Sequence, residues 1–195
     1  GDPEVASTFL AAGVAGLADA RLANVASLRS SGVRAAVTLL RTPSPSEVAG
    51  GGETCDASCN TEPEVLAALS AAAVRRGVDH RVVLMVELGD LREGIMPDDL
   101  VAVARTTQGL PNLVLHGIGT NLACRSGVVP DEANMAELSA LAALVEHATG
   151  SALAVVSGGN SANLGWALGP ARTGRVNELR LGEALLLGRD PVERR

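Results

Sequence analysis

Short aliphatic runs alternate with longer amphipathic segments from one end of the chain to the other. Few folds accept that alternation, because a brief apolar run followed by a helical pattern is the signature of a βα unit laid on a parallel sheet. The aliphatic runs predict strands at Gly16 to Ala20, Ala35 to Leu40, Ala57 to Thr61, Arg81 to Leu88, Leu113 to Asn121, Leu153 to Gly158 and Leu179 to Leu186. Between them the helical period is clearest from Pro63 to Gly77, carried by Val65, Leu66, Leu69, Ala72 and Ala73, and from Asp131 to Thr149, carried by Met135, Leu138, Leu141, Leu144 and Val145. The second of these follows Pro130 and has acidic residues in its first turn, as a helix start should.

The chain opens on a further helical pattern, Pro3 to Ala12, ahead of the first aliphatic run. A βα repeat that begins with a helix implies one more strand before it. Seven strands and an implied one make the eight that close a (β/α)8 barrel. The expected fold is therefore α/β, a TIM-type barrel with seven of eight strands present, built as one domain over residues 1–195 and truncated at both ends. An open doubly wound sheet is the competing arrangement; it normally carries G-x-G-x-x-G after its first strand, and no turn here has that spacing.

Composition narrows the function classes. Apolar residues make up 47% of the chain, yet they are broken by Gly, Pro and charge well short of the roughly 20-residue run a membrane helix needs. No basic stretch leading into an apolar run opens the chain, so a soluble cytoplasmic protein without a membrane partner is expected. A net charge of −6, with Phe9 and Trp166 the only aromatic residues, leaves nothing to grip or stack on a nucleic acid. Cys55, Cys59 and Cys124 are an odd set without C-x-x-C pairing, which argues against a disulfide framework and against a structural metal site. All 16 residues counted as Lys or Arg are arginine, so the chain has no lysine.

In a barrel the residues that do chemistry stand at the C-terminal ends of the strands. Here those ends carry Asp19 and Arg21, Arg41, Asn60 and Glu62, Glu87 with Asp90 and Arg92, Thr120 and Asn121, Ser157 to Ser161, and Arg180 with Glu183. Polar residues also end strands and cap helices for purely structural reasons. Ser157-Gly158-Gly159-Asn160-Ser161 is the most informative stretch, since two glycines let backbone approach a ligand while hydroxyls and following N–H groups suit a phosphate. A loop with an N-cap has the same composition. In His116-Gly117-Ile118-Gly119-Thr120-Asn121, two glycines strip one strand face of side chains, for a nearby ligand or for a bend.

Three segments taken together carry a resemblance. Glu87-Leu88-Gly89-Asp90-Leu91-Arg92-Glu93-Gly94, Gly117 to Cys124, and Ser157 to Ser161 followed by Asn177-Glu178-Leu179-Arg180-Leu181-Gly182-Glu183-Ala184 stand in the order found in the alanine racemase N-terminal-domain family. The chain resembles that family over nearly its whole length, and most closely its ornithine-racemase-like branch.

The resemblance implies a (β/α)8 barrel that binds pyridoxal 5'-phosphate through a lysine at the end of the first strand. In the family that lysine precedes the segment matching Gly1-Asp2-Pro3-Glu4, so the implied strand and the absent lysine are one loss. By position, Ser161 resembles the phosphate-binding serine, within the cradle that also holds Ser157 and Asn160. Gly182 and Glu183 resemble the backbone donors to that phosphate, Arg180 the arginine facing the pyridine nitrogen, and Arg92 the arginine near the phenolic oxygen. An ion pair of Arg92 with Asp90 or Glu93 is the alternative. Asn121 departs from alanine racemases, which have a histidine there. Cys124 is a weak candidate for a proton donor, a buried inert thiol being the commoner state of a lone cysteine.

The implied activity is racemisation of a free amino acid, basic in the branch most resembled, with a homodimer as one expected assembly. A non-catalytic pyridoxal-phosphate carrier of the same barrel is the alternative. Without the lysine, this chain alone is expected to be inactive.

Overall fold

The computed structural model describes residues 1–49, 55–122, 128–170 and 172–189. The chain forms two compact units, Gly1–Val82 with Gly109–Val114, and Val83–Gln108 with Leu115–Arg195.

The first unit runs α1 (Pro3–Ala11), β1 (Leu17–Asp19), α2 (Leu22–Ser30), β2 (Val37–Leu39), α3 (Pro45–Ala49), β3 (Ala57–Asn60), α4 (Pro63–Arg76) and the first residues of β4 (His80–Val86). Helix boundaries follow local chemistry. The Asp2 carboxylate accepts from the N–H groups of Glu4 at 2.8 Å and Val5 at 3.1 Å ahead of Pro3, and α4 starts on Pro63 and stops at Gly77, whose φ of +64° lies in the left-handed region that glycine enters freely. Strands β1 and β2 pair in parallel with Leu17 opposite Val37 and Asp19 opposite Leu39; β2 and β3 pair in parallel with Leu39 opposite Ser58. Val25, Val37, Leu39 and Cys55 form one buried cluster and Ala6, Leu28 and Val33 another, with Leu17 packed against both.

The second unit holds the remainder of β4, then α5 (Pro97–Gly109) as far as Gln108, β5 (Leu113–Thr120) from Leu115 onward, α6 (Glu132–Thr149), β6 (Val155–Ser157), a 3₁₀ turn (Ser161–Asn163), α7 (Leu164–Leu168) and α8 (Glu183–Leu187). Helix α6 is fixed at its start by a reciprocal cap, the Asp131 carboxylate accepting from Asn134 N–H at 2.9 Å and the Asn134 side chain accepting from Asp131 N–H at 3.0 Å. Met135, Leu138, Leu141, Ala142 and Val145 form its buried stripe, each larger side chain contributing about 1.5–3 kcal/mol by leaving water. Leu144, expected on that stripe, is 54% exposed, because it falls on the opposite side of the helix from Leu138 and Met135. Strands β5 and β6 pair in parallel with Gly117 opposite Val155 and Gly119 opposite Ser157.

The architecture is α/β, the repeating βα unit of an incomplete (β/α)8 barrel, with six strands among the described residues. The seventh predicted strand, Leu179 to Leu186, is a correction. Only Glu178 makes an isolated parallel bridge, to Ser157, and residues from Glu183 onward form α8. The Ala-Leu-Leu-Leu run is as good a helix former as a strand former, and apolar residues alone do not separate the two.

Candidate functional site

The loop after β6 is built by its own asparagines. Asn160 Oδ1 accepts from Ala162 N–H at 2.9 Å, and Asn163 Oδ1 accepts from Asn160 N–H at 3.1 Å. Asn163 Nδ2 donates to the Gly158 carbonyl at 2.8 Å, and Asn160 Nδ2 to the Leu122 carbonyl at 3.0 Å. Gly159 has φ +142°, and a Cβ there would sit 2.1 Å from Asn163 Oδ1. Asn160, expected among the cofactor-binding residues, is thus committed to shaping the loop. Asn163, which the sequence reading passed over, closes it; the N-x-x-N capping spacing was the available signal.

This loop meets the segment that follows Glu178. Gly158 N–H donates to the Glu178 carbonyl at 2.9 Å and Arg180 N–H to the Gly159 carbonyl at 2.9 Å. Two further N–H groups, from Gly182 at 3.2 Å and Ala184 at 3.1 Å, converge on Ser161 Oγ. A hydroxyl that accepts twice still has its own proton to donate. The Gly182 and Ala184 N–H groups are thus taken up by the serine oxygen and leave the Ser161 O–H as the donor, and a Cβ on Gly182 would meet no heavy atom within 4 Å, so the space beside it is open. Glu183, between the two backbone donors, is the first residue of α8 and its side chain is exposed.

Arg180 is half-buried and held on three sides. Its Nη2 donates to the Thr120 carbonyl at 2.7 Å and to Asn121 Oδ1 at 2.7 Å, and its Nη1 donates to Ser157 Oγ. Ser157, fully buried, donates its one hydroxyl proton to Glu178 Oε1 at 2.7 Å, so its oxygen faces Arg180 as an acceptor. Both protons of Nη2 are used. The Nε–H and the second Nη1–H have no acceptor among the described residues. Gly119 makes room for this arrangement: a Cβ there would lie 3.1 Å from Ser157 Cβ and 3.3 Å from Arg180 Nη1.

Arg92 stands in the loop after β4. Its Nε lies 3.3 Å from Asp90 Oδ2, whose side chain is 2% exposed, and its Nη2 lies 3.8 Å from Glu93 Oε1. Both ion-pair partners expected from the sequence are present. Glu87 shapes this loop, its Oε1 accepting from Gly89 N–H at 2.6 Å and Leu91 N–H at 3.1 Å. Cys124 lies outside the described residues, as do the residues from Asp190 to the end. Among the described residues no cluster of His, Cys, Asp and Glu could hold a metal ion, and no helix is long and apolar enough to cross a membrane.

The repeating βα unit, with Ser161 after β6 and Arg180 two residues beyond the Glu178 bridge, defines an α/β barrel class. The chain belongs to the family described as alanine racemase, N-terminal domain, whose profile matches residues 1–190. Among curated relatives, the lysine racemase of Thermotoga maritima is 32% identical over 197 residues, covering 100% of this chain and 54% of that protein. The ornithine racemase of Acetoanaerobium sticklandii is 35% identical over 174 residues, covering 89% of this chain and 49% of that protein. The chain thus spans about half the length of the curated relatives it matches.

Solved structures agree on the fold. An alanine racemase from Clostridium difficile superposes with a TM-score of 0.78 at 21% identity, over 92% of this chain and 49% of that one. PipY of Synechococcus elongatus superposes with a TM-score of 0.76 at 18% identity, over 94% of this chain and 87% of that one.

Proposed function

We propose that this chain supplies the pyridoxal-phosphate-binding part of a racemase that interconverts the L and D forms of a free amino acid, with a basic amino acid as substrate. The observation that carries this reading is the convergence of Ser161 Oγ with the N–H groups of Gly182 and Ala184, on the same segment that presents Arg180. A serine proton directed in this way suits a phosphate oxygen, and a guanidinium with two uncommitted N–H groups suits a ring nitrogen. The lysine and ornithine racemases among its relatives support a basic substrate.

When bound, pyridoxal phosphate supplies an electron sink conjugated to the substrate α-carbon. The chain's own residues then have distinct tasks. The Ser161 hydroxyl proton, directed by the Gly182 and Ala184 N–H groups that its oxygen accepts, would donate to the phosphate, with the Gly182–Glu183 backbone beside it as the resemblance implies. Arg180 would donate to the pyridine nitrogen; a guanidinium keeps its protons in any protein, so that nitrogen would stay unprotonated. A less electron-poor ring favours quick return of the α-proton over transamination. Asn121, Thr120 and Ser157 hold the guanidinium in place, and Arg92 is the residue that would serve the phenolic oxygen, as the resemblance implies. No lysine stands among the 195 residues, so none of them provides the amine that the family uses to take the α-proton.

The test is exchange in deuterated water. Full-length protein loaded with pyridoxal phosphate is expected to place deuterium at the α-carbon of L-ornithine or L-lysine as optical rotation decays. Binding of the cofactor with no exchange into any amino acid of a broad panel would overturn the racemase reading in favour of a non-catalytic carrier.

A further inference from the structure

We infer that Glu178 is a positioning residue that sets the orientation of Arg180 through Ser157; the inference rests on the reading of Arg180 as the residue that faces the cofactor ring. A serine hydroxyl is ambivalent, since one proton and two lone pairs let it turn toward either a donor or an acceptor. Left alone beside a guanidinium, Ser157 would have no fixed rotor. The Glu178 carboxylate removes that freedom: Oε1 accepts a hydrogen bond from Ser157 Oγ at 2.7 Å, so only lone pairs face Arg180 Nη1.

Three features make this a built relay. Ser157 is fully buried, so water does not compete for its hydroxyl. Glu178 is fixed through its backbone, its carbonyl accepting from Gly158 N–H at 2.9 Å and its residue bridging to Ser157. The opposite edge of the guanidinium is clamped by Thr120 O and Asn121 Oδ1, both at 2.7 Å, so the two edges together define its plane. A charged acceptor behind the serine also strengthens the bond the serine accepts, as hydrogen bonds in a chain polarise one another. Glu178 itself makes no contact with cofactor or substrate in this account. It acts by holding what does.

The experiment uses full-length protein loaded with pyridoxal phosphate and compares Glu178→Ala, Glu178→Gln, Ser157→Ala, the Glu178→Ala/Ser157→Ala double variant and Arg180→Ala. Glu178→Ala is expected to shift the visible absorbance of the bound cofactor and to lower kcat at least tenfold, with KM and cofactor affinity changed less than threefold. Glu178→Gln keeps an acceptor oxygen and is expected to restore most of kcat. If Glu and Ser act as one relay, the double variant will be no worse than the poorer single variant. Ser157→Ala tests the same link should the Glu178 variants fail to fold. Multiplying effects in the double variant, no rescue by Glu178→Gln, or wild-type kcat and absorbance in Glu178→Ala would each overturn the inference. If Arg180→Ala also leaves kcat and absorbance unchanged, the parent reading of Arg180 fails instead.

Discussion

Asn121 stands at the end of β5, and its side-chain oxygen accepts from Arg180 Nη2 at 2.7 Å, the same nitrogen that reaches the Thr120 carbonyl at 2.7 Å. A neutral amide thus holds the arginine. Removing it with Asn121→Ala takes away one charge-assisted hydrogen bond, about 1.5–3 kcal/mol at most for such a bond. Full-length Asn121→Ala is expected to lose roughly tenfold in kcat, equivalent to about 1.4 kcal/mol of barrier, with its melting temperature little changed. Wild-type turnover would show that Arg180 needs no support from β5.

Ser161 gathers the Gly182 and Ala184 N–H groups and keeps a proton for a ligand oxygen. Ser161→Ala is expected to weaken binding of pyridoxal phosphate by about tenfold, near 1.4 kcal/mol. Titration of the full-length apoprotein by fluorescence quenching measures it, with free inorganic phosphate as competitor. Equal affinity in the variant would remove Ser161 from the cradle.

Gly117 and Gly119 lie in the same strand but are glycine for different reasons. A Cβ at Gly117 would be 2.1 Å from the Val155 carbonyl oxygen, a clash with backbone of the paired strand, whereas one at Gly119 would press on Ser157 and Arg180. Gly117→Ala is expected to destabilise the protein by roughly 1–3 kcal/mol, the usual cost of overpacking. Gly109→Ala, where no heavy atom lies within 4 Å, is expected to be neutral or to stabilise by up to about 1 kcal/mol as a helix position. Urea midpoints of the two variants give the comparison.

Acid stability is expected to fall in two steps. His80 is buried with Nε2 2.7 Å from Ser58 Oγ, and burial, with the Arg76 charge second, pushes its pKa below the ordinary 6.5. The unfolded chain therefore takes up this proton first, so the neutral-histidine contribution is full above 6.5 and declines as pH falls below it. Glu47, bound by Arg41, and Glu146, bound by Arg175, are held down to about 2 from 4.5. Their contribution is present above 4.5 and is lost as pH falls toward about 2. His80→Asn is expected to flatten the upper step of a stability-against-pH curve and leave the lower one. An unchanged upper step would assign it elsewhere.

The chain of contacts at His80 also shows what a sequence conceals. Asn60 Nδ2 donates to the Ser58 carbonyl at 2.9 Å and to Ser58 Oγ at 2.8 Å, which fixes the amide orientation because a carbonyl only accepts. Asn60 Oδ1 is then left buried with no hydrogen-bond partner among the described residues. In the sequence Asn60 is one more polar residue at a strand end; that Ser58 and His80 share its surroundings follows from packing between positions 22 apart.

The order of βα units, the start and stop of α4 and α6, and the strand ends that hold Asn121 and Ser161 were all legible, because caps, glycines and hydrophobic period act over a few residues. The fate of Leu179 to Leu186 was not. Its apolar run satisfies either a strand or a helix, and only pairing with a neighbour chooses; β6 offers Glu178 a single bridge.

What the sequence alone determined is therefore the repeat, its caps and the residue types available for chemistry. The tertiary structure decided which of those residues meet: Asn160 shapes a loop, Ser161 gathers N–H groups from beyond position 180, and Arg180 is clamped by residues 23, 59 and 60 positions away. The reason is physical. Hydrogen bonds between strand ends depend on register and on the direction of each side chain, and neither is set until the strands are packed side by side.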